Sequence, residues 1–199
     1  MKNQTAQTIA ALLLLAAITL YRLCVGFGAH GVWLYNFSPV AAVALCGSIY
    51  LPRRMAVMVP IAAMLISDVL LNWHYGAAPV SGEMISRYVA LAAVIGIGFA
   101  LRNRASLATV LPASVLGSVI FYGVTNTSSW LTEPGYAKTV AGWVQALTTG
   151  LPAYATIAPT WMFFRSTLIS DLLFSALFVL CMVAMRAPEP AVAAHPKAA

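Results

Sequence analysis

The stretch of this chain best equipped for chemistry is Val59–His74, VPIAAMLISDVLLNWH, an apolar run carrying one acidic residue, Asp68, with Asn72 and His74 just beyond it. A carboxylate at membrane depth is costly unless it is paired or faces water, so Asp68 is a functional-site candidate by default. A second carboxylate, Asp171, lies in a similar apolar run beside Ser170 and Thr167. Arg22, Arg87 and Arg165 are the available partners for both. A pair of buried salt bridges that only fix helix register would need the same residue types, so the ligand-binding and the structural readings stand side by side. His30 and His74 fall in predicted loops, where each is a candidate metal ligand or simply a solvated imidazole.

Catalytic signatures are missing. The sequence has no HExxH, no GxSxG, no phosphate-cradling glycine loop and no DxxxD carboxylate pair. Cys24, Cys46 and Cys181 sit in apolar runs without CxxC or Cys/His spacing, which reads as small buried hydrophobes rather than a disulfide framework or a zinc site.

The elements that must position these groups are membrane spans. Of 199 residues, 61% are hydrophobic and 8% charged, too few charges to cover a soluble globule. The net charge of +6 comes from basic residues scattered between apolar runs, which orient spans and do not form a phosphate-binding face, so nucleic acid is excluded as a partner. Lys2 followed by the apolar run Ile9–Leu20 has the look of a signal peptide, but Gly26 and Gly28 make a poor cleavage site, and an uncleaved first span is expected.

Hydropathy predicts six spans in a single all-α integral membrane domain over residues 1–186. They are about 6–25, 36–51, 55–73, 84–101, 107–125 and 161–185. The second is about 16 residues long, short for a straight crossing, and is expected to start below the membrane surface. Residues 26–35 and 74–83 read as loops, and the fifth span passes into the polar stretch Asn126–Ser129 before Trp130. Residues 132–160 form a long outer loop with one surface helix near 140–149, and 187–199 a disordered cytoplasmic tail. With both termini cytoplasmic, Lys2, Arg53, Arg54, Arg102, Arg104, Arg186 and Lys197 fall inside.

In that topology Arg22, Asn36, Asp68, Asn72, Arg87, Asn126, Arg165 and Asp171 all lie in the outer half or near the middle, while the inner half is apolar. An outward-facing polar cavity closed at its cytoplasmic floor is the simplest arrangement. Trp33, Tyr88 and Trp130 adjoin the polar cluster as stacking walls or as part of an interfacial aromatic belt. Ala6, Ala10 and Ala17 form a small-residue face suited to internal packing or to a partner helix. Ile66–Leu71 (ISDVLL) and Ile169–Phe174 (ISDLLF) match at similar places in antiparallel spans, as the trace of an inverted repeat of two three-span halves would.

Several blocks resemble a family of small bacterial transport proteins related to the substrate-binding S components of energy-coupling-factor (ECF) transporters. They are Asn36–Leu45 (NFSPVAAVAL), Val59–Asp68, Gly117–Phe121 with Thr125, Asn126 and Trp130, Tyr136–Thr139, Phe164–Leu168, and Asp171. The resemblance runs from about Arg22 to Phe178. It implies an S-component-like six-helix bundle in the bacterial inner membrane, with an outward pocket for a vitamin or cofactor precursor. It also implies either an energising membrane module with ATPases or solitary operation. Within that group the chain is similar to solitary cobalamin-specific S components, which would place His30, Asp68, Tyr88 and Arg165 around a corrin ring. Those proteins use a loop cysteine before the fourth span to remove the upper cobalt ligand. Here Val80 and Ser81 occupy that region, and no cysteine lies between His74 and Tyr88, so no decyanating chemistry is expected.

The expectation is therefore a transporter subunit, not an enzyme, without an intrinsic cofactor. Cobalamin leads as transported ligand, and lipid surrounds the domain. Capture would fall to Arg22, His30, Asn36, Asp68, Asn72, Tyr88, Asn126, Trp130, Arg165 and Asp171. Two rival classes are a membrane assembly or scaffold protein acting through Ala6 and Ala10, and an intramembrane enzyme that modifies its bound ligand.

Overall fold

The computed structural model describes residues 2–28, 36–80, 82–152 and 158–185. Among them the chain is all-helical. α1 is Lys2–Phe27, α2 Val40–Tyr50, α3 Arg53–His74, α4 Glu83–Leu101, α5 Leu107–Thr132, α6 Val140–Leu147 and α7 Thr160–Ala184. Five of these, α1, α3, α4, α5 and α7, are long and apolar enough to cross a membrane. Large apolar side chains such as Leu13, Met58, Ile66, Ile85 and Leu116 point out of the bundle, as they would toward lipid.

The exception is α2. Where a short second span of about 16 residues was expected, a helix of only 11 residues forms, about 16 Å long at about 1.5 Å per residue. It is the centre of the bundle. Every residue from Val40 to Ile49 is buried, and α1, α3, α4, α5 and α7 all pack against it. Its sequence, VAAVALCGSIY, is apolar all round, as a helix surrounded by other helices must be. The approach of α4 is close: a Cβ on Gly98 would collide with the Ser48 hydroxyl and lie 2.8 Å from the Leu45 carbonyl oxygen. Gly117 similarly lets α5 meet Val94 of α4.

Contacts fix the helix directions. The Tyr75 hydroxyl beyond α3 donates to the Gly26 carbonyl near the end of α1, so these two run in parallel. Thr167 donates to the Asn36 carbonyl at 2.9 Å, and the rings of Tyr50 and Phe178 stack at 5.4 Å, so α7 runs with α2. Asp68 near the end of α3 meets Arg87 near the start of α4, and Tyr122 near the end of α5 meets Phe164 near the start of α7. Up and down helices therefore alternate. The beginning of α1 and the end of α7 share one end of the bundle with Arg53, Arg54, Arg102 and Arg104.

α5 overruns its expected end. The polar stretch Asn126–Ser129, expected just past the end of the fifth span, continues the helix. Hydroxyls and amides here satisfy themselves one turn back: Thr125 donates to the Phe121 carbonyl at 2.8 Å, Asn126 to Tyr122 at 2.9 Å and Thr132 to Ser128 at 3.0 Å. Such back-bonding lets polar residues continue a helix. The surface helix of the outer loop is α6, started by Thr139, whose side chain accepts the Gly142 N–H at 3.2 Å.

Candidate functional site

Because α2 is short, the space above its first turn is open. A cavity of about 490 Å³ occupies it, at the end of the bundle away from the Arg53, Arg54, Arg102 and Arg104 cluster. The segment leading into α2 supplies Asn36, Ser38 and Val40. α1 supplies Arg22, α3 Met64, α4 Arg87, α5 Phe121, Tyr122, Thr125 and Asn126, and α7 Thr160, Phe163 and Thr167. Asn36 turns the chain here with φ of +59°, a left-handed conformation that asparagine tolerates better than most residues.

Behind the wall lies a charge triad. Asp68, 1% exposed, accepts from Arg22 Nη2 at 2.6 Å through Oδ1. Its Oδ2 lies 3.1 Å from Arg87 Nη1, a charge contact without aligned hydrogen-bond geometry. Arg22 is fully committed: Nε donates to Ser38 Oγ at 2.9 Å and Nη1 to Ser67 Oγ. Arg87 reaches outward to Glu83, one turn earlier, at 3.7 Å. One carboxylate thus serves two guanidiniums from two other helices. In a medium of low dielectric this cross-linking holds α1, α3 and α4 together, and stranding either charge would cost several kcal/mol.

The expected site residues separate into groups. Arg22, Asn36 and Asn126 line the cavity, and Asp68 stands immediately behind it. Asn126 commits one amide N–H to the Tyr122 carbonyl, which leaves its other N–H and its carbonyl oxygen for a ligand. Tyr88 packs against the core near the triad, its hydroxyl buried without a hydrogen-bond partner among the described residues, but it does not line the cavity. Asn72 lies in a second, outer cleft with Glu83 and Glu133, which Arg87 also lines, and bonds the Pro79 carbonyl at 3.3 Å. Trp130 donates its indole N–H to the Ala137 carbonyl at 2.9 Å and braces the outer loop. The Arg165 guanidinium lies over the Trp161 ring at 5.7 Å, off the cavity.

Asp171 belongs to a different structure. It is completely buried and accepts the Ala42 N–H at 2.9 Å and the Ser118 hydroxyl at 2.7 Å. It therefore caps the first turn of α2 from α7 and has no face on the cavity. Ser175 and Ser114, 3.1 Å apart, extend this polar seam between α7 and α5.

His30 and Trp33 lie outside the described residues. His74 is exposed and stacks edge-on against Phe27 at 4.9 Å and Tyr75 at 5.0 Å. Among the described residues, no group of three or more His, Cys, Asp or Glu side chains is placed to hold a metal ion. On α1 the Ala6 position is exposed and Ala10 half-buried; the alanine turned into the core is Ala11.

Sequence reasoning set Arg87 among the outer polar residues and the ion-pair partners but not among the capturing ones, and gave no capturing role to Ser38, Ser67, Thr125, Thr160, Thr167 or the aromatic walls Phe121, Tyr122 and Phe163. The Glu83–Arg87 spacing of four was a visible signal for Arg87. The hydroxyl and aromatic positions carry no signal until helix rotation is known.

Residues 2–192 match the sequence profile of a family of unknown function, DUF6580, and the chain belongs to that family. Neither a curated protein nor a solved structure matches it.

Proposed function

We infer that this member of the DUF6580 family is a substrate-binding membrane transport subunit, S-component-like, that takes up a vitamin or cofactor precursor. The observation that carries the reading is the cavity of about 490 Å³ above the buried start of α2, walled by polar and aromatic groups from α1, α4, α5, α7 and the segment before α2, with Met64 of α3 and Val40 of α2. Its volume lies in the range of sites for compact organic ligands. A polar chamber at membrane depth, floored by the apolar helix α2, is the arrangement expected of a binding site that loads from one side.

On this reading the chain crosses the inner membrane six times, the passage from Asn36 to Pro52 counting as one crossing because α2 completes it inside the bundle. The basic end with Arg53, Arg54, Arg102 and Arg104 is cytoplasmic, so the start of α1 and the end of α7 are too. The cavity then opens outward. Release inward requires a tilt or rocking of the bundle, driven by an energising module with ATPases or by the ligand gradient alone. A whole corrinoid is bulkier than the cavity, so a compact vitamin heads the list and cobalamin is one arm of the test.

The test is calorimetry of the purified protein in nanodiscs against a vitamin panel that includes cobalamin and cobinamide. It is repeated with Thr125→Trp, which plugs the cavity from α5. Saturable binding lost in the plugged variant, with its melting temperature kept, is the expected result. No binding across the panel, or binding indifferent to the plug, overturns the reading.

A further inference from the structure

Arg87 is half-buried on the cavity wall and has five N–H donors, yet it makes two charge contacts and no hydrogen bond among the described residues. Arg22, its neighbour in the triad, has committed Nε and both terminal nitrogens to Ser38, Ser67 and Asp68. The charge is also uneven. Two guanidiniums face one buried carboxylate, and the remaining partner, Glu83, is 55% exposed and 3.7 Å away, where solvent screens it. The cavity therefore presents one cation's worth of positive charge in a low-dielectric wall, on the one arginine whose donors are unspent.

A guanidinium with unspent donors is matched best by an oxyanion, which takes two parallel N–H bonds. Around it the cavity adds the Asn126 carbonyl oxygen and the Thr160 hydroxyl for neutral polar groups, and the Phe121 and Phe163 rings for an apolar or planar body. Arg87 also lines the outer cleft, beside Glu83 and Glu133.

We propose that the ligand carries an oxyanion, a carboxylate or a phosphate ester, bound by Arg87, with the rest of the molecule along Phe121 and Phe163. This rests on the transport-subunit reading and narrows it to the chemical class of the substrate. Arg87 is a binding residue. Asp68 positions it, holding the guanidinium at the wall and leaving its outer donors for the ligand.

The test is nanodisc calorimetry with biotin and pantothenate as carboxylates, pyridoxal 5′-phosphate as a phosphate ester, riboflavin as a neutral and thiamine as a cationic probe. Binding confined to carboxylates or to the phosphate ester supports the proposal and says which. The methyl ester of a bound carboxylate should bind at least about tenfold more weakly, the scale of a lost charged hydrogen bond. Arg87→Gln should lose the anion by at least the same factor, and Arg87→Lys by less. Should Arg87→Gln fold poorly, Arg87→Met keeps the side-chain packing and leaves the Arg22–Asp68 pair intact, and binding should remain lost in it. Binding only of riboflavin or thiamine, an ester that binds as well as its acid, or an unaffected Arg87→Gln overturns the oxyanion and leaves the transport reading standing. No binding of any probe overturns both.

Discussion

The carboxylate of Asp171 on α7 accepts the backbone N–H of Ala42 at 2.9 Å, 129 residues away in sequence, and so caps a helix that begins inside the bundle. The first N–H groups of any helix lack partners in the helix itself, and at membrane depth no bulk water stands in. α2 is preceded by Pro39, which makes no side-chain cap. The cap comes instead from the opposite side of the core, and the start of α2 is held where the floor of the cavity needs it.

Replacing Asp171 should thus damage stability more than binding. Asp171→Leu strands the Ala42 N–H, while the Ser118 hydroxyl falls back on the Ser114 carbonyl, and should cost about 1–3 kcal/mol. Asp171→Asn keeps an acceptor and should cost less. Thermal melts in detergent with ligand titration on the folded fraction check this; a Leu variant that melts with the parent refutes the cap.

The Arg22–Asp68 pair predicts non-additivity. Arg22→Met leaves Asp68 with only the unaligned contact to Arg87, and a loss of about 3–5 kcal/mol is expected for a stranded buried charge. Adding Asp68→Leu should recover part of that loss, because the buried carboxylate is then gone and only half-exposed Arg87 is left to lean on Glu83. Chemical denaturation of the two singles and the double closes the cycle. Additive losses would mean that the pair does not couple α1 to α3.

At Gly98 the expected outcome is set by backbone. Gly98→Ala brings a methyl into the Ser48 hydroxyl and to 2.8 Å from the Leu45 carbonyl, so α4 must shift away from α2. A loss of about 1–3 kcal/mol is expected for overpacking. Ser48→Ala in the same chain should return only part of it, since the Leu45 carbonyl cannot move without α2. Melting temperatures of the three variants decide the matter.

Topology has its own readout. In a background lacking Cys24, Cys46 and Cys181, Ala77→Cys beyond α3 and Asn103→Cys beyond α4 should react with an impermeant thiol reagent from opposite faces of sealed vesicles. Both positions are exposed. Labelling of both from one face would remove a crossing between them and with it the alternation of helices.

The legible part of this molecule was its apolar spacing. Spans 1, 3, 4, 5 and 6 are helices within a few residues of expectation because an apolar run of about twenty residues has few other ways to satisfy its backbone. The shortness of the second run was visible too. That it becomes a central helix buried on every side was not, since burial is decided by what surrounds it. The end of α5 was set too early because the apolar run stops at Thr125, while the helix goes on through Asn126 and Thr132, whose side chains bond to the turn before.

Ile-Ser-Asp occurs in both α3 and α7, and the two aspartates do unlike things: Asp68 gathers two arginines behind the cavity, Asp171 caps α2. Residue type and the two residues before it are the same for both. By itself the sequence determined that this is a multi-span helical protein whose polar residues collect toward one end, because hydropathy and span length act locally along the chain. Only the tertiary structure decided which of them share a wall, because that depends on how each helix is rotated against its neighbours, and rotation follows from small-residue contacts such as Gly98 on Ser48 that no local pattern encodes.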